Sequence, residues 1–341
     1  MNFGVNFAWD LATVWAFIIA FAVFVYVVMD GFDLGLGILF PLFPQKADRD
    51  VIMNSVAPVW DGNETWLVLG GGGMMAAFPL AYAVLMPALY TPMIVMLLGL
   101  VFRGVAFEFR WRTTQSERNR WDVAFAGGSL MATLAQGIAL GAILQGVHVE
   151  GRHYAGGWWD WLTPFSILTG AALVIGYALL GATWLVMKTE GALRDRAYHL
   201  SWLLLLAMLG AIGAVSIATP FLHVQYTQRW FAWPNIILTA PVPIAVAGVT
   251  VLLLRSLANK YDYQPFFLTL ALFALSYAGL GISMYPYIVP QSITIWQAAS
   301  PENSQIFMLF GVAVLVPLIL GYTAWAYWVF RGKVKPESGY H

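Results

Sequence analysis

The sequence of 341 residues contains no cysteine. This absence excludes disulfides, thiolate nucleophiles and thiolate ligation of a metal or haem. Charge is also scarce: charged residues make up 10% of the chain, where a soluble domain has roughly 25%. The formal net charge is +0, so the chain lacks the basic field that attracts nucleic acid, and nucleic-acid binding is excluded as a function.

Apolar residues fill the chain instead. They make up 60% of it, and the mean hydropathy is +0.72. Uncharged stretches long enough to cross a hydrocarbon core of about 30 Å recur along the sequence, and the first of them is long enough to remain as a membrane span. We expect one all-α integral membrane domain over residues 1–341, without a soluble domain between its spans. The nine predicted spans lie near 11–33, 56–78, 82–105, 122–147, 164–187, 200–220, 235–254, 265–288 and 306–330.

The distribution of basic residues predicts the orientation of these spans. With nine spans, 15 of the 17 Lys and Arg residues fall on one face, and Arg152 and Arg229 are the two exceptions. Because cytoplasmic loops are enriched in Lys and Arg, that face is predicted to be cytoplasmic. The N-terminus would then lie outside and the C-terminus, with Lys335, inside. Between the second and third spans we place the turn at Phe78-Pro79.

Carboxylates gather at the predicted cytoplasmic ends of the first three spans. If the first helix continues past its predicted end, Asp30 and Asp33 share a face at i, i+3, and Asp61 and Glu64 repeat that spacing at the start of the second. The third span ends with Arg103 and then Glu108. Charges in apolar spans are costly and commonly serve ion or proton pathways.

A structural role is the alternative for these charges, since acids near helix N-termini and ion pairs within a bundle also stabilise. For Glu108 and for one of Asp30 or Asp33 the two roles are balanced. For Asp61 a functional role is favoured. Trp60 and Trp66 flank it, which predicts a desolvated carboxylate, and such a group can exchange protons near neutral pH. By residue type alone, proton uptake and cation binding both stay open.

Two further patterns bear on function. The glycine run 70–73 favours close packing by a neighbouring helix over a broken helix at an ion site. The five histidines are His148, His153, His199, His223 and His341, and none lies deep in a predicted span. We therefore expect no haem, metal or other cofactor to be ligated by this chain, and packing is the expected role of the methionines.

Several long motifs resemble those of one family. They are DGFDLG at 30–35, WDGNETWL at 60–67, FRGVAFEFR at 102–110, GISMYP at 281–286 and ITIWQAAS at 293–300. In this order and at these spacings they resemble subunit II of the cytochrome bd-type quinol oxidases, including the cyanide-insensitive branch. The resemblance extends over nearly the whole chain, which makes it far more specific than a single short pattern.

The resemblance implies a nine-helix subunit, built as two four-helix bundles plus one helix and paired with a homologous subunit I. That partner would carry haem b and haem d and the reaction of quinol with O₂, in the bacterial inner membrane. Small accessory subunits and membrane lipids are further expected partners. The family assigns proton intake to the positions of Asp30 and Asp61, while Arg103 and Glu108 match its third-helix motif and Asn63 its second-helix motif.

We therefore expect a non-haem oxidase subunit that stabilises subunit I and conducts protons through Asp30, Asp61, Asp33, Glu64, Arg103 and Glu108, with Trp60, Asn63 and Trp66 packing the motif. The alternative is a secondary proton- or cation-coupled transporter, suggested by the glycine run and the acidic cluster. A purely structural assembly subunit is a third possibility.

Overall fold

The computed structural model describes residues 10–114 and 116–334. Within them the chain is almost entirely helical, as the apolar composition predicts. The helices are α1 (Leu11–Leu39), α2 (Lys46–Asn54), α3 (Trp60–Ala77), α4 (Pro79–Ala88), α5 (Tyr90–Arg112), α6 (Arg118–Gln145), α7 (Pro164–Lys188), α8 (Gly191–Leu222), α9 (Val224–Phe231), α10 (Asn235–Thr239), α11 (Pro241–Ala258), α12 (Gln264–Met284), α13 (Ile295–Ala298) and α14 (Glu302–Val329). A 3₁₀ turn, Phe40–Leu42, follows α1.

Two small antiparallel hairpins join helices. In the first, β1 (Val149–Glu150) pairs with β2 (His153–Tyr154) between α6 and α7. In the second, β3 (Tyr287–Val289) pairs with β4 (Ile293–Thr294), with a register shift, between α12 and α13. The second hairpin takes part in the hydrophobic core, because Val289 of β3 and Ile293 of β4 are buried among residues of α1, α4 and α6.

Each predicted span coincides with a helix, but the second and third differ in detail. The turn predicted at Phe78-Pro79 is confirmed, because α3 ends at Ala77 and α4 begins at Pro79. The third predicted span is divided at Leu89 into the short α4 and the longer α5. Within the described residues, eight helices are long and apolar enough to cross a membrane. The helix α3 is not among them, because Asp61, Asn63 and Glu64 lower its hydropathy, so the ninth span and the orientation stay predictions.

Glycines set the helix crossings of the core. A Cβ added to Gly35 of α1 would lie 1.8 Å from the backbone oxygen of Tyr177, and one added to Gly181 of α7 would lie 2.6 Å from the backbone of Gly35. The pair Gly99 and Gly128 brings α5 and α6 together in the same way. Small residues at such crossings let membrane helices pack backbone to backbone. The core therefore centres on α1, α5, α6 and α7.

The glycine run of α3 is only partly used for packing. A Cβ on Gly70 would lie 3.1 Å from Val23, and one on Gly73 would lie 3.4 Å from Ile19, so these two glycines face α1. Gly71 and Gly72 have no atom of the described residues within 4 Å of such a Cβ. The predicted close packing thus holds for half of the run.

The last helix, α14, lies on the outside of the bundle and is fixed mainly near its ends. At its start the indole of Trp15 donates to the backbone oxygen of Gln305 at 3.1 Å. Beyond its end, Lys188 donates to the backbone oxygens of Phe330 and Gly332. Lys333 donates to Asp262 at 2.6 Å. Burial favours the neutral form of Asp262, but hydrogen bonds from Lys333 and Tyr198 outweigh it and hold the pKa of this carboxyl below its usual value.

We predict that Gly35→Leu prevents normal packing of α1 against α7, because the added side chain would occupy the position of the Tyr177 backbone. The yield of assembled protein and its thermal midpoint should both fall sharply. Gly71→Leu is the matched control, since the same side chain there meets open space. Equal losses in the two variants would contradict this account of the crossing.

Candidate functional site: a buried ion cluster

A single arginine joins three helices. Arg103 of α5 is 1% exposed, and its Nη1 lies 2.7 Å from Asp30 Oδ1 of α1 and 2.8 Å from Glu64 Oε1 of α3. Its Nη2 lies 3.5 Å from Oδ2 of Asp33, and its guanidinium lies 6.0 Å from the ring centroid of Trp60. We call Arg103 with Asp30, Asp33 and Glu64 the Arg103 cluster.

Local sequence explains how α1 presents two acids to one arginine. The helix continues through residues 30–39, so Asp30 and Asp33 lie one turn apart on the same face, as the i, i+3 spacing predicts. Gly31 fits against Tyr177 and Leu180 of α7, where a Cβ would come within 2.8 Å of the Tyr177 ring. The DGFD motif thus combines close packing on one side with two carboxylates on another.

Asn63 ties Asp33 to the last helix. Its Nδ2 donates to Asp33 Oδ2 at 2.7 Å and to the backbone oxygen of Met29 at 3.3 Å. Its Oδ1 accepts from the hydroxyl of Tyr327 at 2.9 Å. Because Asn63 is 1% exposed, these bonds satisfy an amide that would be costly to bury alone.

The charges of the Arg103 cluster do not balance. Three carboxylates face one guanidinium, and Oδ2 of Asp30 and Oδ1 of Asp33 have no hydrogen-bond partner among the described residues. Both aspartates are fully buried, whereas Glu64 is 27% exposed. An ionisable group with one edge at the surface and another at a buried arginine can exchange protons between the two environments.

Two predicted site residues lie outside this cluster. Asp61, at the first turn of α3, and Glu108, on α5, are exposed on the surface of the chain. The interpretation of Asp61 as desolvated is therefore wrong for this chain, because the turn of α3 that buries Asn63 directs Asp61 outward. Trp66 is buried as predicted for a packing residue, and Trp60 is half-buried, stacked at 5.1 Å on Phe107.

A hydrogen-bonded network beyond Asp30 was missed by sequence reasoning. Gln136 of α6 donates to the hydroxyl of Tyr26 at 2.7 Å and accepts from the hydroxyl of Tyr177 at 3.1 Å. Tyr26 lies one turn before Asp30 on α1, so the helical period could have indicated it, whereas Gln136 and Tyr177 come close only through helix packing.

A second buried arginine was also missed. Arg110 is 1% exposed, and it lies 2.6 Å from both Asp122 and Asp50. Arg49 binds the other oxygen of Asp122 at 2.8 Å. The available signal was the seven-residue spacing from Arg103 to Arg110, which places both on one face of α5. This network joins α2, α5 and α6 and stabilises the same end of the bundle.

The described residues contain no group of three or more His, Asp or Glu side chains that could hold a metal ion. His148 and His153 lie in or beside the first hairpin, and Nε2 of His223 donates to the backbone oxygen of Gln145 at 2.7 Å. His199 is exposed on α8. His341 lies outside the described residues.

The fold and the cluster define a multi-pass membrane protein with ionisable groups held inside its bundle. Residues 11–330 match the family model of cytochrome bd terminal oxidase subunit II, and the chain belongs to that family. It is accordingly a multi-pass protein of the bacterial inner membrane and a subunit of a terminal oxidase complex.

Named relatives agree with this family. Cytochrome bd-I ubiquinol oxidase subunit 2 of Escherichia coli strain K12 is 32% identical over 367 residues, covering 96% of each chain. Cytochrome bd ubiquinol oxidase subunit 2 of Bacillus subtilis strain 168 is 27% identical, covering 96% of this chain and 98% of its own. The bd oxidase structure from Geobacillus thermodenitrificans matches the fold with a TM-score of 0.72 at 19% identity, covering 94% of this chain and 98% of the other.

We predict that Arg103→Gln destabilises the protein by about 3–5 kcal/mol, because it leaves buried carboxylates without a counter-charge. The thermal midpoint of the purified complex measures this loss. Arg112→Gln is the matched control, since Arg112 is exposed at the end of the same helix. Adding Asp30→Asn to Arg103→Gln should restore part of the midpoint, and a midpoint for Arg103→Gln equal to that of the control would contradict the cluster's role.

Proposed function

We propose that this chain is the non-haem subunit of a quinol:oxygen oxidoreductase. In this proposal it stabilises the haem-bearing subunit I and conducts protons from the cytoplasm toward that subunit's oxygen-reducing haems. The unbalanced Arg103 cluster, buried where α1, α3 and α5 meet, is the observation that carries the proposal. The names of the relatives, which are ubiquinol oxidase subunits, support the choice of reaction.

The redox chemistry belongs to the partner in this proposal. Quinol is oxidised to quinone and O₂ is reduced to water at subunit I, whose haems supply electron transfer and oxygen binding. His148, His153 and His223 lie in loops or a hairpin and His199 is exposed on α8, which fits a subunit that ligates no haem. Its own contribution is to move protons.

The geometry supports a stepwise route. Asp61 is exposed at the start of α3, and Glu64 lies one turn further along the same helix, partly exposed and bonded to Arg103. Asp30 and Asp33 follow on the buried side of Arg103. A proton arriving at Glu64 can pass to the fully buried acids, each of which has one oxygen without a partner among the described residues.

Arg103 has a fixed role in this route. A guanidinium stays protonated at every physiological pH, so Arg103 does not relay protons. It lowers the cost of burying negative charge, and the charge left uncompensated by Arg103 is what an incoming proton neutralises. The hydroxyls of Tyr26 and Tyr177, bridged by Gln136, extend polar contacts from Asp30 toward α6 and α7. Glu108, exposed five residues after Arg103 on α5, has a weaker claim to the route.

The transporter alternative gains no support from the family to which the chain belongs. A transporter would also function without a haem-bearing partner. An assembly subunit without a proton role remains the competing proposal, and it predicts different behaviour when single carboxylates are neutralised.

We predict that Asp61→Asn and Asp30→Asn slow oxygen reduction and voltage generation by about tenfold or more, because proton delivery becomes limiting. The haem spectrum and subunit content of the purified complex should stay normal in Asp61→Asn, since Asp61 makes no buried contact. Oxygen uptake and membrane potential in reconstituted vesicles are the measurements.

Asp195→Asn provides the control, since Asp195 is 59% exposed on α8, away from the Arg103 cluster. Turnover should be unchanged in that variant. Normal turnover of a fully assembled Asp61→Asn complex would remove Asp61 from the route, and normal turnover of Asp30→Asn as well would favour the assembly role.

A further inference from the structure

A groove of about 530 Å³ lies between the end of α11 and the start of α12. It is separate from the Arg103 cluster and has polar residues at one side and apolar residues at the other. Arg255, Ser256 and Gln264 line the polar side, and Leu252, Phe267 and Leu268 line the apolar side. The groove lies where two spans end, which is the level of lipid headgroups.

The start of α12 provides a place for an anion. Within the described residues, no side chain caps this helix and its first turn contains no acid. Backbone N–H groups at a helix N-terminus have no partner within the helix, and with the helix dipole they favour a negatively charged ligand. Tyr263 and Gln264, which open α12, both line the groove.

Arg255 adds a positive charge to the same place. It is exposed in the last turn of α11, and it forms no ion pair or side-chain hydrogen bond within residues 10–114 and 116–334. Asp262, the acid in the connection, is already bound by Lys333 at 2.6 Å, Tyr198 at 3.2 Å and Arg194 at 3.4 Å. The charge of Arg255 is therefore available to a ligand.

Ser256, which also lines the groove, has an unsatisfied buried hydroxyl. It is 1% exposed, and its Oγ has no hydrogen-bond partner among the residues that the structure describes. Thr250, earlier in the same helix, avoids this cost by donating to the backbone oxygen of Val246 at 2.7 Å. A buried hydroxyl without a partner loses free energy, and the wall of the groove is where Ser256 can gain one.

The apolar side of the groove favours a phosphate compound that carries an acyl chain over a free phosphate ion. Phe267 is 59% exposed and Leu252 is 50% exposed, and each lies three positions further into its helix than a polar residue of the groove, Gln264 or Arg255. A free phosphate ion would leave these side chains uncovered, whereas an acyl chain would cover them.

We propose that this groove binds an anionic phospholipid, with its phosphate at the start of α12 between Arg255 and Ser256 and an acyl chain along Leu252 and Phe267. The lipid site does not depend on proton conduction, so its test can fail while the proposed function holds, and the reverse. The subunit would then have a specific lipid contact where α11 ends and α12 begins.

Native mass spectrometry of the whole complex, stripped of lipid in mild detergent and titrated with phosphatidylglycerol, tests the proposal. Arg255→Gln should weaken binding of one lipid molecule by about fivefold, the effect of one arginine beside an anionic headgroup. Ser256→Ala should weaken it by about threefold, as expected for one lost hydrogen bond. Arg120→Gln, which removes an exposed arginine elsewhere, should leave binding unchanged.

Three results would overturn the proposal. The first is equal lipid binding in Arg255→Gln and the unaltered complex. The second is equal weakening in Arg120→Gln, which would indicate nonspecific attraction. The third is displacement of the lipid by equimolar inorganic phosphate, which would make a free anion the ligand. Weaker binding of zwitterionic phosphatidylcholine than of phosphatidylglycerol would support the anionic assignment.

Discussion

The contact between Arg103 and its carboxylates imposes a condition on the whole first half of the chain. A guanidinium that is 1% exposed needs counter-charges at hydrogen-bond distance, and here they come from two different helices. Separating those helices would leave charges buried without partners, which costs several kcal/mol for each ion. The positions of α1, α3 and α5 are therefore coupled, and the glycine crossings with α6 and α7 bring the backbones close enough for that coupling.

The same coupling relates stability to function. An arginine that compensated every carboxylate would make a purely structural bridge. In this protein three carboxylates surround Arg103, and the proposed function uses the acids that one guanidinium cannot fully compensate. The Arg110 network differs, because three cations, Arg49, Arg110 and Arg118, face two acids, Asp50 and Asp122. In the proposed function only the Arg103 cluster carries protons, whereas the Arg110 network holds helices together.

Much of the fold could be predicted from sequence because a bilayer restricts the choices. The lengths of the apolar stretches predicted where the helices lie, and the turn predicted at Phe78-Pro79 is confirmed. The i, i+3 spacing of Asp30 and Asp33 gave their common face, because that relation depends only on helical period. The resemblance to subunit II rested on long motifs, and the family is confirmed over residues 11–330.

Other features depend on packing between distant segments and have no local signal. The exposure of Asp61 follows from the rotation of α3 about its axis, which is set by its contacts with α1. The bridging of Tyr26 and Tyr177 by Gln136 joins residues more than one hundred positions apart on different helices. The low hydropathy of α3 results in part from Asn63 and Glu64, which belong to the site, so the same residues that build the site weaken the hydropathy signal of this span.

The hydrogen bond between Tyr327 and Asn63 has a consequence for biosynthesis. It joins residues 264 positions apart, and Tyr327 belongs to the last helix. During synthesis, Asp30, Asn63 and Arg103 enter the membrane long before α14 has been translated. Until α14 is in place, the side-chain oxygen of Asn63 has no hydrogen bond from Tyr327. The amide that orients Asp33 is then fixed only by the hydrogen bonds that its nitrogen donates. The helices inserted first thus depend on one inserted much later, and the site reaches its final form only when α14 has been synthesised.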